Sequence, residues 1–191
     1  GTQLDLALIN GALELSDQAA LKLGDDIRRV SGIDNPNSVA QLKQWLSEKL
    51  GKDIDKLGKE AVNELLEAPQ VKANPAVYYV LKKRKEMAKS SVKKYTAMGN
   101  AVCKDGRVRG LLQFYGANRT GRWAGRLVQV QNLPRNYIPE LSLARNLVKQ
   151  ENAAMLELTY GSLPDTISQL IRTAFVPREG YEFVVADFSA I

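Results

Sequence analysis

The sequence predicts an α+β fold, mostly helical over residues 1–100 and mixed, with short antiparallel strands and helices, over residues 101–191. Apolar side chains recur at helical spacing in successive stretches before residue 100. Residues that start and stop helices stand at the edges of those stretches: Ser31-Gly32, Ser38, Gly51, Pro69 and Asn74-Pro75. After Met98 the helical period is lost, and a Gly-Asn pair, an Asp-Gly pair and β-prone runs take over. The length of 191 residues suits one domain or two small ones and can bury a core without disulfides.

In order along the chain, residues 4–29 are rich in Leu and Ala and read as a helix that Gly24 can interrupt and Ser31-Gly32 closes. Residues 34–37 (Asp-Asn-Pro-Asn) read as a turn, with Asn37 or Ser38 as cap of a second helix carrying Val39, Leu42, Trp45, Leu46 and Leu50 on one face. Residues 58–68 read as a short helix stopped by Pro69. Asn74-Pro75 opens the longest predicted helix, continuous to about Met98, with the proline in its first turn. Its apolar side holds Val77, Val80, Leu81, Met87, Ala88, Val92, Tyr95 and Met98, with Ser91 and the charged Arg84 among them. Lys82, Lys85, Lys89 and Lys93 fall nearly opposite, in a stripe roughly 16 Å long at about 1.5 Å rise per residue. Gly99-Asn100 stops the helix. Residues 101–113 read as a hairpin with Asp105-Gly106 as a primed turn. Residues 127–130 read as a short strand, 141–160 as a helix, 165–174 as a helix capped by Asp165, and 181–187 as a buried strand.

Composition narrows the function classes. With no histidine, Ser-His and Cys-His nucleophiles and His-ligated metals are excluded. One cysteine, Cys103, allows no internal disulfide and fits a reducing, cytoplasmic setting. No apolar run approaches the roughly 18 residues of a membrane span, and no N-terminal stretch reads as a signal peptide. The net charge of +6 is unevenly distributed. Residues 82–135 hold 14 basic side chains against two acids, Glu86 and Asp105; the rest of the chain holds 13 basic and 19 acidic ones. A local +12 against −6 elsewhere points to a nucleic acid or another anionic partner, or else to a solvated basic face. The lysine stripe has the same two readings, since strand phosphates repeat every ~3.4 Å.

Three blocks then resemble the family A DNA polymerases, the bacterial DNA polymerase I family with its phage relatives. They are Thr120-Gly121-Arg122-Trp123-Ala124-Gly125; Val130-Gln131-Asn132-Leu133-Pro134-Arg135; and Ile171-Arg172-Thr173-Ala174-Phe175 followed by Val184-Val185-Ala186-Asp187-Phe188-Ser189-Ala190-Ile191. They are similar to the family's Thr-Gly-Arg block, its Leu-Gln-Asn-Ile-Pro-X-Arg block, and its Ile-Arg-X-Ala-Phe segment with motif A. Asn35-Pro36-Asn37-Ser38 with Gln41-Leu42, and residues 81–95, resemble the thumb helices.

The resemblance implies a thumb-like region over 1–100 and a partial palm over 101–191. It implies DNA contacts by Arg122, which would reach minor-groove acceptors shared by every base pair, and by Gln131, Asn132, Thr120 and Arg119. Taken alone, Arg122 reads equally as a phosphate or surface arginine, and Gln131 and Asn132 as partners of nearby backbone. It implies that Asp187, with the backbone carbonyl of Phe188, holds Mg²⁺ in a two-ion site for deoxynucleotidyl transfer to a primer 3′-end. Taken alone, Asp187 reads as a helix N-cap.

Residues 136–169 form a longer link than the family usually has, able to brace the palm or touch DNA. Gly1 in place of an initiator methionine, and an end inside motif A ahead of the fingers and the second metal-binding carboxylate, imply a piece of a longer protein that does not polymerise alone. The implied partners are primer–template DNA, dNTP in the complete enzyme, and no membrane, in the cytoplasm of a bacterial or phage-infected cell. The other readings are a non-enzymatic helical nucleic-acid-binding module and a scaffold whose basic face meets an acidic protein.

Overall fold

A computed structural model describes residues 1–88, 91–184 and 186. The chain opens with a strand, β1 (Thr2–Leu4), and enters α1 (Leu6–Ser31) without a break at Gly24. The carboxylate of Asp5 caps α1 by accepting from the Leu8 N–H at 3.1 Å, and Gly32 closes it in the left-handed region. Helix α2 (Val39–Leu50) is capped by the Ser38 hydroxyl and closed by Gly51 in the same conformation, as the sequence predicts. Helix α3 (Lys59–Glu67) and the single turn α4 (Pro69–Lys72) follow.

The predicted long helix is two helices, α5 (Pro75–Met87) and α6 (Ser91–Ala101). Asn74 caps α5, accepting from the Val77 N–H at 3.2 Å, and Ala88 is its C-cap. Lys82 and Lys85 therefore belong to a different helix from Lys93, and the single stripe does not persist; Lys89 lies outside the described residues. Gly99-Asn100 does not end α6, which runs on to Ala101.

The Asp-Gly turn forms with different geometry. The Gly106 N–H closes a turn on the Cys103 carbonyl at 2.9 Å, and only Gly106 has a positive φ, so the turn is not primed. It leads into β2 (Arg107–Val108), which pairs with β1. A second hairpin follows, β3 (Leu112–Ala117) and β4 (Arg122–Gly125). Residues 127–130 are not a strand: Leu127 and Gln129 have positive φ, and Val130–Asn132 form a 3₁₀ turn.

The predicted helix over 141–160 is broken into α7 (Leu141–Lys149) and α8 (Ala153–Tyr160). Glu151 adopts positive φ between them, and Asn152 caps α8. Helix α9 (Leu163–Leu170) is capped by the Ser162 hydroxyl rather than by Asp165, which lies in its first turn. A 3₁₀ turn, Ile171–Ala174, leads into β5 (Phe175–Val176). Residues 181–184 are exposed coil and not a buried strand, with Val184 88% exposed; Val185 and Asp187 lie outside the described residues.

One sheet has the antiparallel order β2-β1-β5, so the N-terminal strand is its centre. The other is the β3–β4 ribbon. Two apolar clusters divide along α1. Leu8, Ile9, Ala12, Leu15 and Ala19 pack with α6, α7, α8 and α9, whereas Ile27 packs with α2, α3 and α5. Tyr95 of α6 is fully buried, and its hydroxyl donates to the Ile167 carbonyl at 2.9 Å. Burial pushes the Tyr95 phenol well above the usual tyrosine range.

Within residues 136–169, α7 and α9 pack against α1. A Cβ at Gly11 would lie 2.2 Å from the Val148 carbonyl oxygen, so α1 and α7 approach closely there. Gly11→Ala is expected to destabilise the chain by about 1–3 kcal/mol. The clash outweighs the ~1 kcal/mol that alanine gains over glycine in a helix. A lower urea midpoint at unchanged slope is the expected readout.

Candidate nucleic-acid interface

The first block forms the tip and one strand of the β3–β4 ribbon. Thr120 and Gly121 both donate their N–H groups to the Ala117 carbonyl, at 3.0 and 2.9 Å, and Gly121 has φ of +67°. A Cβ there would also sit 2.9 Å from a ring carbon of Tyr115. Glycine at 121 is required both by the turn and by the tyrosine ring lying across it. Tyr115 itself has positive φ, within an irregularity of the ladder between Gln113 and Ala117. Arg122 leaves the turn as the first residue of β4, exposed and paired across from Ala117. Arg119 and Thr120 are exposed at the tip.

Strand alternation gives the ribbon two different faces. Arg122 and Ala124 point one way, Trp123 and Gly125 the other. Trp123 meets Phe114 of β3 edge to face, with ring centroids 5.2 Å apart, and the two rings stay 61% and 71% exposed. Gln131 lies on their side: a Cβ at Gly125 would be 1.9 Å from its Oε1. The amide of Gln131 thus occupies the space over Gly125, where the second block meets the first.

Two cations hold this arrangement by donating to backbone. Lys94 of α6 reaches the Val128 carbonyl at 2.7 Å. Arg172, in the third block, donates to the Leu133 carbonyl at 2.7 and 3.2 Å and to the Pro134 carbonyl at 2.8 Å. Val128 and Leu133 are buried between these anchors, which leaves Gln131 and Asn132 exposed. The first two blocks and the Ile171–Phe175 part of the third therefore meet, through Gly125–Gln131 and Arg172–Leu133, while Asp187 to Ile191 of the third lie outside the described residues.

The surface is cationic. Residues 106–139 contain no acid and six arginines. Arg109 is engaged by Asp105 at 2.6 and 3.0 Å, and this hydrogen bonding pulls the Asp105 carboxyl down to about 2. Arg119, Arg122, Arg126 and Arg135 make no ion pair among the described residues. Sequence reasoning missed Phe114, Tyr115 and Trp123 as surface residues, and Lys94 and Arg172 as the groups that position the loop. The available signal was an aromatic-rich run inside an acid-free window.

The lysines are placed elsewhere. Lys82 and Lys85 are exposed on α5, over a cleft shared with Glu67 and Glu86. Glu67 is held below the usual carboxylate range first by its hydrogen bond from Lys72 and also by the Lys85 charge. Helix α5 belongs to the second cluster, whereas Val128, Val130 and Leu133 belong to the first. Lys93 is exposed on α6. Asp187 and Phe188 lie outside the described residues, among which no group of three His, Cys, Asp or Glu side chains gathers to hold a metal. No helix among the described residues is long and apolar enough to cross a membrane.

Neither a protein-family model nor a solved structure matches the chain. Over all 191 residues it is 53% identical to the DNA polymerase of Bacillus phage SP02, and it spans 29% of that protein's length.

Proposed function

We propose that this chain is a DNA-binding segment of a DNA-dependent DNA polymerase of family A and phage type, thumb-like over 1–100 and partial palm over 101–191. In that reading the N-terminal half of α1 and α6 support the palm side from within the first cluster. The observation that carries the proposal is the meeting of the first two blocks with the Ile171–Phe175 part of the third, next to a stretch, 106–139, that contains no acid, with Arg122 and Gln131 on opposite faces of the β3–β4 ribbon. The similarity to a phage DNA polymerase over the whole chain supports it.

Primer–template DNA is the ligand, held by Arg119, Thr120, Arg122, Gln131 and Asn132, with Lys82, Lys85, Lys89 and Lys93 as further phosphate contacts. In the complete enzyme Asp187 and the Phe188 carbonyl hold Mg²⁺, which supplies activation of the primer hydroxyl and stabilisation of the leaving pyrophosphate from a dNTP. The setting is the cytoplasm of a bacterial or phage-infected cell.

Fluorescence anisotropy with labelled primer–template DNA tests the binding. If Arg119 and the four lysines each neutralise one phosphate, log K falls against log salt with a slope of roughly −4 to −5. Arg119→Ala should make that slope shallower by about 0.9. A titration without salt dependence would overturn the reading.

A further inference from the structure

Resting on that reading, we propose that the ribbon also carries a single-stranded DNA site: Phe114 and Trp123 stack unpaired bases on the face opposite Arg122. Two large rings meeting edge to face, 71% and 61% exposed, form an aromatic pair outside both apolar clusters. Each leaves a π-face open on which a planar ring can stack. The charge around it selects the partner. No acid occurs over 106–139, and Arg119 at the tip and Arg126 just past β4 flank the ribbon without an ion pair among the described residues, with Arg122 on its other face. A protein partner would have to supply acids to match; a polynucleotide supplies phosphates at every residue.

The rings also decide the strandedness. In a duplex the base faces are already stacked on one another, and a side chain meets only their edges in the grooves. Unpaired bases offer free π-faces, and stacking on aromatic side chains tolerates any sequence. Gln131, lying over Gly125 on this same face, carries both donor and acceptor atoms for a base edge. Arg122 projects to the other side, toward phosphates or a groove. The ribbon is thus two-sided, with duplex chemistry on one face and single-strand chemistry on the other, as a segment at a primer–template junction requires.

The test uses the full 191-residue chain and two labelled probes of about 12 nucleotides, oligo(dT) and a blunt duplex. Replacing both rings, Phe114→Ala with Trp123→Ala, should weaken oligo(dT) binding at least about tenfold. Duplex affinity should stay within about twofold. Phe114→Tyr with Trp123→Tyr keeps two stacking rings and should restore oligo(dT) binding, which separates stacking from misfolding. Because Trp45 is buried, quenching of intrinsic emission by oligo(dT) should come from Trp123 and disappear in Trp123→Tyr. Unchanged oligo(dT) affinity in the double alanine variant, or equal loss of both probes, would overturn the single-strand site. If the unaltered chain bound neither probe, the polymerase reading itself would fall.

Discussion

On the proposed polymerase reading, Asp187→Asn in a full-length protein that carries this segment is expected to reduce primer extension by at least about a thousandfold, a loss of several kcal/mol of transition-state stabilisation. Primer–template affinity should stay within a few-fold. Two roles are open to this aspartate on residue chemistry, and the asparagine variant separates them. As a helix N-cap the oxygen alone matters, and asparagine caps as well as aspartate. As a ligand for Mg²⁺ the negative charge matters, because a hard divalent cation prefers anionic oxygen and an amide supplies none. Binding should survive because the DNA-facing groups proposed above sit on the β3–β4 ribbon and the adjoining 3₁₀ turn, held by Lys94 and Arg172. Retained synthesis in Asp187→Asn would reject the metal role and leave the cap, whereas no synthesis by the unaltered protein would favour the non-enzymatic binding module. Single-turnover extension alongside anisotropy on the same preparation gives both numbers.

Asp5→Ala is expected to destabilise the 191-residue chain by about 3 kcal/mol, near the lower end for breaking a largely buried ion pair. For a chain of this size that corresponds to a loss of roughly 6–12 °C in Tm. The Asp5 carboxylate is 12% exposed and has three partners. One oxygen accepts from the Leu8 N–H as the cap of α1. The other accepts from Arg145 at 2.6 Å and Lys149 at 2.7 Å. Arg145 also donates to the Thr173 carbonyl, and the Asp5 N–H donates to the Ala174 carbonyl at 2.8 Å. One side chain therefore ties the start of α1 to α7 and to the turn before β5. Removing it leaves two cations without their partner.

Burial pushes the Asp5 pKa up, but the Lys149 and Leu8 hydrogen bonds and the two positive charges outweigh it, and the net shift is downward from 3.8. A depressed folded-state pKa stabilises fully above the unfolded value and is lost as pH falls through the folded one. The stability gap between the unaltered chain and Asp5→Asn, which keeps the cap, should thus hold from neutrality to about pH 4 and close below it. Urea melts at several pH values check this. A gap that did not narrow in acid would mean that the ion pairs contribute nothing.

What was legible in the sequence was local. Of the two caps offered for α2 Ser38 forms, α5 starts at Asn74-Pro75, and α1 and α2 end at Gly32 and Gly51, as read, because each needs only a few neighbouring residues. Periodicity found the helices but not their breaks. The apolar phase of 141–160 carries across Glu151 because the break inserts few residues and both halves still face the same core. The segment 181–184 has the composition of a buried strand and is exposed, since composition states what a segment can bury and not whether a neighbour covers it. The candidate DNA-contacting residues Thr120, Arg122, Gln131 and Asn132 are named through a resemblance of short blocks. Their common surface, and the rings of Phe114 and Trp123 beside them, are not.

The sequence alone determined the charge asymmetry, the absence of histidine chemistry, the helix ends at Gly32, Ser38, Gly51 and Pro75 and the resemblance of the three blocks, all properties of residues and their near neighbours. Only the tertiary structure decided that β1 is the centre of a sheet, since its partners Arg107–Val108 and Phe175–Val176 are more than a hundred residues away in sequence. It also decided that the blocks meet, through Gly125 against Gln131 and Arg172 on the Leu133 carbonyl. Contacts across such separations depend on which surfaces the whole core brings face to face, and no local pattern of residues encodes that.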